Sequence, residues 1–368
     1  MNDWEYCKQA LPKVSRTFAL NISILRGASH RSILVAYLFC RIVDTVEDAE
    51  KLDARLKIKL LIEFCRLMKS KGYRKEYLSN WVQRCHIVDG SQNDLELLGQ
   101  TARVFKVFDS LSKLHRERIA PSVCQMALGM AHFQKRFDTN SLTLLEDENE
   151  LEEYCYFVAG CVGEMLCNLF CAELPGLSEK SRKIMEETAV SFGLGLQITN
   201  IAKDFLVDRK RGWSYIPKSV ITKSGLTVEE FSSGQSLEKS LIVVRFLLNK
   251  TVGHLKDALR FTMALPRNAI RFRLFCIWPL WMALETVAVL NNNCDLLASE
   301  DPVKISRSTV KKILLSTPWI VWSNGLLSRS FGKIQERCDC SNPPQFDFLG
   351  LSERLEKIAL DSPTLSLS

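Results

Sequence analysis

An all-α fold is the class this sequence predicts, and three observations carry the prediction. Few stretches alternate apolar and polar residues, and no Asn-Gly or Asp-Gly pair lies between two such runs, so strand and hairpin signals are nearly absent. Apolar residues instead recur every four positions, as at Leu34, Leu38, Ile42 and Val46, and similar spacing runs through Leu56 to Met68 and Leu241 to Leu259. Polar breaks at Asp89 to Asn93, Thr139 to Ser141, Leu174 to Ser178 and Gly234 to Ser236 read as loops between helices.

No composition shift or long linker divides the chain before about Ser341, so residues 1–340 read as one helical domain. The stretch 341–368 opens on the turn-rich Ser341-Asn-Pro-Pro-Gln, carries one short helix near Leu349 to Leu360, and frays from Asp361. There is no repeat of solenoid length. With 46% hydrophobic and 25% charged residues in 368, the chain buries a sizeable core and is not disordered. A net charge of +7 suits an anionic ligand or a membrane surface. Nucleic acid is not expected, because no recognition signature frames the basic clusters Arg209 to Arg211 and Arg307 to Lys312.

The 13 cysteines are scattered through apolar helical stretches, as at Cys155, Cys161, Cys167 and Cys171, and read as small core residues in a reducing compartment. Cys338 and Cys340 lack two further partners for a zinc site. The start, Met-Asn-Asp-Trp-Glu, has no basic region followed by an apolar run, so export is not expected. Two apolar runs, Phe275 to Leu290 and Ile313 to Leu327, fall short of the ~20 residues that cross a bilayer. The first contains Glu285 and the second Ser316, Pro318 and Asn324, so both read as core helices. The expectation is a cytoplasmic monomer, with peripheral membrane contact left open.

Chemistry is concentrated in two acidic stripes. In Asp44-Thr-Val-Glu-Asp48, residues three and four apart share a helix face, so Asp44, Glu47 and Asp48 project together, with Tyr37 and Arg41 on the same face. Clustered carboxylates are the hard oxygen ligands that Mg²⁺ takes alongside waters and substrate phosphates. Alone, such a triplet reads more readily as a solvated helix surface. The second stripe changes that balance. Asn200, Asp204 and Asp208 recur at steps of four after Gln197 and border the apolar Ile201, Phe205 and Leu206. Two such stripes facing one another in a bundle form a cage for metal ions, which assist departure of a diphosphate by neutralising the developing charge.

Arg16, in Ser15-Arg-Thr-Phe18, with Arg41, Lys203 and the run Arg209 to Arg211, are candidates to clamp phosphates; the run reads equally well as a solvated turn. The third element is Tyr154-Cys-Tyr-Phe-Val-Ala-Gly160-Cys-Val-Gly163, with Gly193 and Gly195 downstream. Glycine inside a helix costs roughly 1 kcal/mol relative to alanine, so these glycines need either close helix contact or room for a long chain. Tyr154 is a candidate proton donor or a ring that shields a cation, and packing is the plainer alternative.

These segments in this order resemble the squalene/phytoene synthase family, its squalene synthases above all. The resemblance runs from about Ser15 to Arg307 through Ser15-Arg-Thr-Phe-Ala19, Tyr37-Leu-Phe-Cys-Arg41, Asp44 to Asp48, Gly129-Met-Ala131, Tyr154 to Gly163 and Gln197 to Asp208. Phe275-Cys-Ile-Trp-Pro279, Asn292-Asn293 and Val303-Lys-Ile305 look more like squalene synthases than like phytoene synthases. The resemblance implies an isoprenoid-synthase helical fold around a central cavity and a prenyltransferase that joins two farnesyl diphosphates head to head.

By that resemblance, Asp44, Glu47, Asp48, Asp204 and Asp208 hold Mg²⁺. Ser15, Arg16, Phe18, Tyr37, Arg41, Gln197 and Asn200 meet the diphosphates, and Tyr154 transfers a proton on the way to presqualene diphosphate. Reduction to squalene uses NADPH near Lys304, Phe275 and Asn200. The sequence departs from the family at Val207, where a Glu is usual, at Lys203, where Arg is frequent, and at Leu280, where a polar residue is usual. The carboxy-terminal anchor of eukaryotic squalene synthases is not evident. Rival readings are a phytoene- or dehydrosqualene-type synthase without NADPH, a presqualene diphosphate synthase, a helical terpene cyclase, and a non-catalytic interaction protein; retention of the aspartates argues against the last.

Overall fold

Helices follow one another along the whole of the computed structural model, which describes residues 1–136, 142–210, 212–233, 237–291, 293 and 303–338. In chain order they are α1 Asp3–Val14, α2 Arg16–Ser23, α3 Gly27–Glu47, α4 Ala54–Lys69, α5 Lys71–Arg84, α6 Gln92–Gly99, α7 Thr101–Asp109, α8 Lys113–Gln134, α9 Glu148–Cys155, α10 Cys161–Glu173, α11 Glu179–Lys210, α12 Lys218–Lys223, α13 Val228–Ser233, α14 Leu237–Ala264, α15 Ile270–Leu290, α16 Arg307–Ile320 and α17 Asn324–Gln335. A π turn, Tyr156–Gly160, joins α9 to α10. The only strands among the described residues are β1 Thr143–Leu144 and β2 Trp213–Ser214, paired in parallel.

Nine of the helices start where the sequence supplies a side-chain cap. Asn2, Ser15, Asp53, Ser70, Ser91, Ser112, Asp147, Ser306 and Ser323 each accept a backbone N–H of the first turn, satisfying a donor that the helix leaves free. The stripe Leu34, Leu38, Ile42 and Val46 on α3 is fully buried, as its four-residue spacing predicts. It belongs to a core shared by α3, α4, α7, α8 and α10; a second core gathers α14, α15, α16 and α17. Ile24 and Phe192 pack against both.

The glycines of the third sequence element serve packing. A Cβ on Gly163 would stand 2.1 Å from the Ala189 carbonyl oxygen, and one on Gly193 would stand 2.2 Å from that of Ala159. Backbone meets backbone where α10 and the π turn cross α11, so close helix contact is the reason for these two glycines.

The apolar run from Phe275 lies inside α15, a 21-residue helix that is long and apolar enough to cross a membrane by those criteria alone, yet is mostly buried here. The continuous α9–π–α10 rod, Glu148–Glu173, meets the same criteria and is half buried. Ile313 to Leu327 is split between α16 and α17 by Val321 to Ser323. Eleven of the cysteines are described, and all are free and buried. The expected loops at Thr139 to Ser141 and Gly234 to Ser236, the tail 341–368, Asn292, Cys340 and the side chains of Arg209 to Arg211 lie outside the described residues.

Candidate active site

The first acidic stripe sits at the C-terminal end of α3. Asp48 continues the helical turn beyond Glu47, its N–H donating to Asp44 O at 2.8 Å, so Tyr37, Arg41, Asp44 and Asp48 rise along one face. Asp89 secures the turn that follows by accepting the N–H groups of Glu50 and Lys51 at 3.3 and 3.0 Å. Glu47 points inward and accepts from Gln134 Nε2 at 2.9 Å. The Asp44 carboxyl is held well above the usual carboxylate range, first by burial and then by the negative charge of Asp48, with Glu47 and Asp94 adding to it and Arg41 opposing. Asp48 and Glu47 are the other members of its own stripe, and theirs is the repulsion that a bound cation relieves.

Arg41 does not stand free above the stripe. Its Nε and Nη2 both donate at 2.8 Å to the Asp94 carboxylate, a fork-to-fork pair, and Ser91 Oγ donates to the same carboxylate at 2.6 Å. Burial opposes the Asp94 anion, but the bonds from Arg41 and Ser91 together outweigh it and hold that carboxyl below its ordinary range. Arg41 is therefore oriented by Asp94, with its remaining N–H groups available to an oxyanion. Beside it, Ser15 caps α2 through Phe18 N at 3.2 Å. The Phe18 and Tyr37 rings are 5.1 Å apart, and burial pushes the Tyr37 phenol up to about 12. Ser15, Phe18, Tyr37 and Arg41 thus form one neighbourhood, with Arg16 exposed at its edge.

The second stripe runs along the last turns of α11. Ile198, Ile201 and Phe205 bury the back of the helix, leaving Gln197, Asn200, Asp204 and Asp208 on its more open side. Lys203 spans the stripe, 3.1 Å from Asp204 and 3.4 Å from the Asn200 amide oxygen. Val207, where the resemblance expects a carboxylate, is half-buried.

A pair of tyrosines ties the two stripes together. Tyr154, near the end of α9, stacks on Tyr215 with ring centroids 4.3 Å apart and 21° between planes. Burial raises the Tyr154 phenol well above its ordinary value, followed by Tyr215, Glu47 and Asp208. The Tyr215 phenol is raised likewise, by burial and then by Glu47 and Asp208, with Asp48 contributing. Carboxylates from both α3 and α11 therefore act on one pair of hydroxyls. Tyr215 was not singled out from the sequence. It is positioned by the short sheet, whose register pairs Thr143 with Trp213 and Leu144 with Ser214, and by the Trp213 ring, stacked parallel at 5.6 Å.

The residues present fit magnesium. The donors are hard oxygens, and the buried amide oxygen of Gln134, beside Glu47, has no hydrogen-bond partner. Among the described residues no three His, Cys, Asp or Glu side chains converge closely enough to hold a metal ion unaided. Such an ion would be held by a few carboxylates on each side and completed by phosphate oxygens and water. Of the residues expected near a nucleotide, Lys304 and Asn200 are exposed, whereas Phe275 is core, its ring 5.6 Å from that of Phe170.

The sequence profile of the squalene/phytoene synthase family matches residues 11–309. Squalene synthase 1 of Arabidopsis thaliana is 28% identical over 98% of this chain and 83% of its own length, and squalene synthase of Homo sapiens is 26% identical over 92% and 75%. Among solved structures, a complex of TcSQS with the ligand BPH1237 superposes over 97% of both chains with a TM-score of 0.76 at 23% identity. A dehydrosqualene synthase with a bound ligand covers 91% of this chain and 97% of its own, with a TM-score of 0.54 at 20% identity. Both share the fold.

Proposed function

The chain belongs to the squalene/phytoene synthase family, an enzyme family of prenyltransferases, and on that premise we propose that it condenses two farnesyl diphosphates head to head through presqualene diphosphate and reduces that intermediate to squalene. The observation that supports this most is the Tyr154–Tyr215 pair, whose phenols are acted on by Glu47 from one acidic stripe and Asp208 from the other.

In this reading Asp44, Glu47 and Asp48 would hold magnesium for one diphosphate, and Asp204 and Asp208 would do so for the other. The metal supplies neutralisation of the charge that develops on the leaving diphosphate. Arg41, oriented by Asp94, donates to diphosphate oxygens; Arg16, Ser15 and Tyr37 add donors around it, and Gln197 and Asn200 do so on α11. Ring closure to the cyclopropyl intermediate forms a carbon–carbon bond and releases a proton from carbon. Because burial and nearby carboxylates keep both phenols protonated, Tyr154 does not rest as a base. It relays: the oxygen accepts the proton as its own passes to an oxygen of the departing diphosphate. NADPH would supply the hydride of the second half-reaction, and the exposed Lys304 would meet its phosphates.

Diphosphate release from farnesyl diphosphate tests the reading. Release should require Mg²⁺ and stop in excess chelator; undiminished release in chelator would overturn it. Val207 favours a second outcome, in which a site one carboxylate short halts at presqualene diphosphate. Val207→Glu should then raise squalene relative to the intermediate, and an unchanged ratio would dismiss this second outcome.

A further inference from the structure

α16 has two apolar faces, and only one of them is covered. Ile313, Thr317 and Val321, at steps of four, turn inward, and Thr317 Oγ1 accepts the indole N–H of Trp278 on α15 at 2.9 Å. On the opposite side Leu315, Trp319 and Trp322, at steps of four and three, are 62%, 78% and 56% exposed. Exposing two indoles three residues apart at the end of one helix is costly in water, since each carries a large apolar area. Single exposed apolar residues need no explanation, but three large ones within eight residues, two of them tryptophans, do.

The charge around the stripe has one sign. Lys311 and Lys312, exposed, lie one turn before Leu315, and Arg307 opens the helix; Arg329 and Lys333 are exposed on α17. From 303 to 338 there are seven basic residues and one acidic, Glu336, a net +6 against +7 for the whole chain. The two helices themselves, α16 and α17, carry five of these basic residues and no acidic one, while Arg337 beyond them is paired with Glu285 at 2.7 Å. A second copy of this chain would bring the same positive field and be repelled by it.

We propose that Leu315 and Trp319 on α16 and Trp322 in the turn that follows it, with Arg307, Lys311 and Lys312, form a docking surface for an anionic lipid bilayer, the indoles entering the headgroup region and the cations meeting lipid phosphates and carboxylates. Tryptophan is suited to that boundary because its body is apolar and its N–H is polar, and basic side chains flanking such a face add electrostatic attraction to anionic lipid. α16 itself remains packed on α15, so the helix lies along the surface rather than across it. The proposal is independent of which reaction the enzyme performs.

Full-length protein floated with phosphatidylcholine vesicles, with and without phosphatidylserine, reads the proposal directly. Flotation should require the anionic lipid and weaken as salt is raised. Trp319→Ser with Trp322→Ser should lower the partition coefficient about tenfold or more at unchanged melting temperature. Lys311→Glu with Lys312→Glu should abolish the dependence on phosphatidylserine. Tryptophan emission quenched by brominated lipid in the wild type, and not in the double Trp variant, would place the indoles in the bilayer. No flotation of the wild type, flotation unchanged in both double variants, or a self-association in sedimentation that the Trp substitutions remove without any flotation, would each overturn the proposal.

Discussion

Replacing Asp44 by Asn is expected to uncouple stability from activity, because the fold holds that carboxyl at a cost. Its pKa is raised by burial and by Asp48, Glu47 and Asp94, against which Arg41 is the one attractive neighbour among the causes identified. A carboxyl raised on folding destabilises the folded state at every pH above the unfolded value, and the penalty fades on acidification toward 3.8. The variant should therefore melt higher than wild type near neutral pH, by about 2 °C per kcal/mol recovered, with the gap closing toward pH 4. Activity should move the other way. A metal ligand stabilises developing charge by several kcal/mol, which is ~10²-fold or more in diphosphate release. A third reading joins the two: Mg²⁺ with inorganic pyrophosphate should raise the melting temperature of the wild type by ligand linkage, and do so weakly or not at all in the variant. A variant that melts lower at neutral pH, or that releases diphosphate at near-normal rate, would refute the reasoning.

Further expectations concern the tyrosine pair, the helix crossing and the core. Tyr154→Phe should cut single-turnover formation of the cyclopropyl intermediate by ~10²- to 10⁴-fold with little loss of substrate binding, and Tyr215→Phe should follow it in direction if the two phenols share the proton. Gly163→Ala forces a methyl against the Ala189 carbonyl and should cost about 1–3 kcal/mol, read by denaturant melting. His254 is buried beside Ser191, 2.7 Å from its hydroxyl, and burial lowers its pKa from 6.5 to about 3, with Lys250 adding to the effect. The unfolded chain takes up that proton below about pH 6.5 and the folded chain does not, so stability should fall on acidification through this window, and His254→Asn should flatten the fall.

Much of this was legible in the sequence, and the misses have physical causes. The four-residue apolar spacing on α3 gives burial and the face of Asp44 at once, because one helix period governs both. The second stripe on α11 follows from the same rule. Tyr215 and Asp94 were not found because neither repeats with the stripe it serves. Tyr215 reaches Tyr154 through a two-residue strand pairing from a distant segment, and Asp94 reaches Arg41 from α6; contacts of that kind leave no periodic trace. Gly163 and Gly193 announced a constraint, yet whether a backbone or a ligand imposes it depends on where α10 crosses α11. The exposed tryptophans of α16 were read as part of an apolar core run, because periodicity cannot tell a helix with one buried face from one with a second apolar face left open.

Head-to-head condensation with reduction is tested most directly by the products. Purified protein incubated with farnesyl diphosphate and Mg²⁺ should make squalene when NADPH is present and accumulate presqualene diphosphate when it is absent, as read by mass analysis of the extracted lipids. Dehydrosqualene identical under both conditions, or phytoene from geranylgeranyl diphosphate with farnesyl diphosphate left unused, would contradict it.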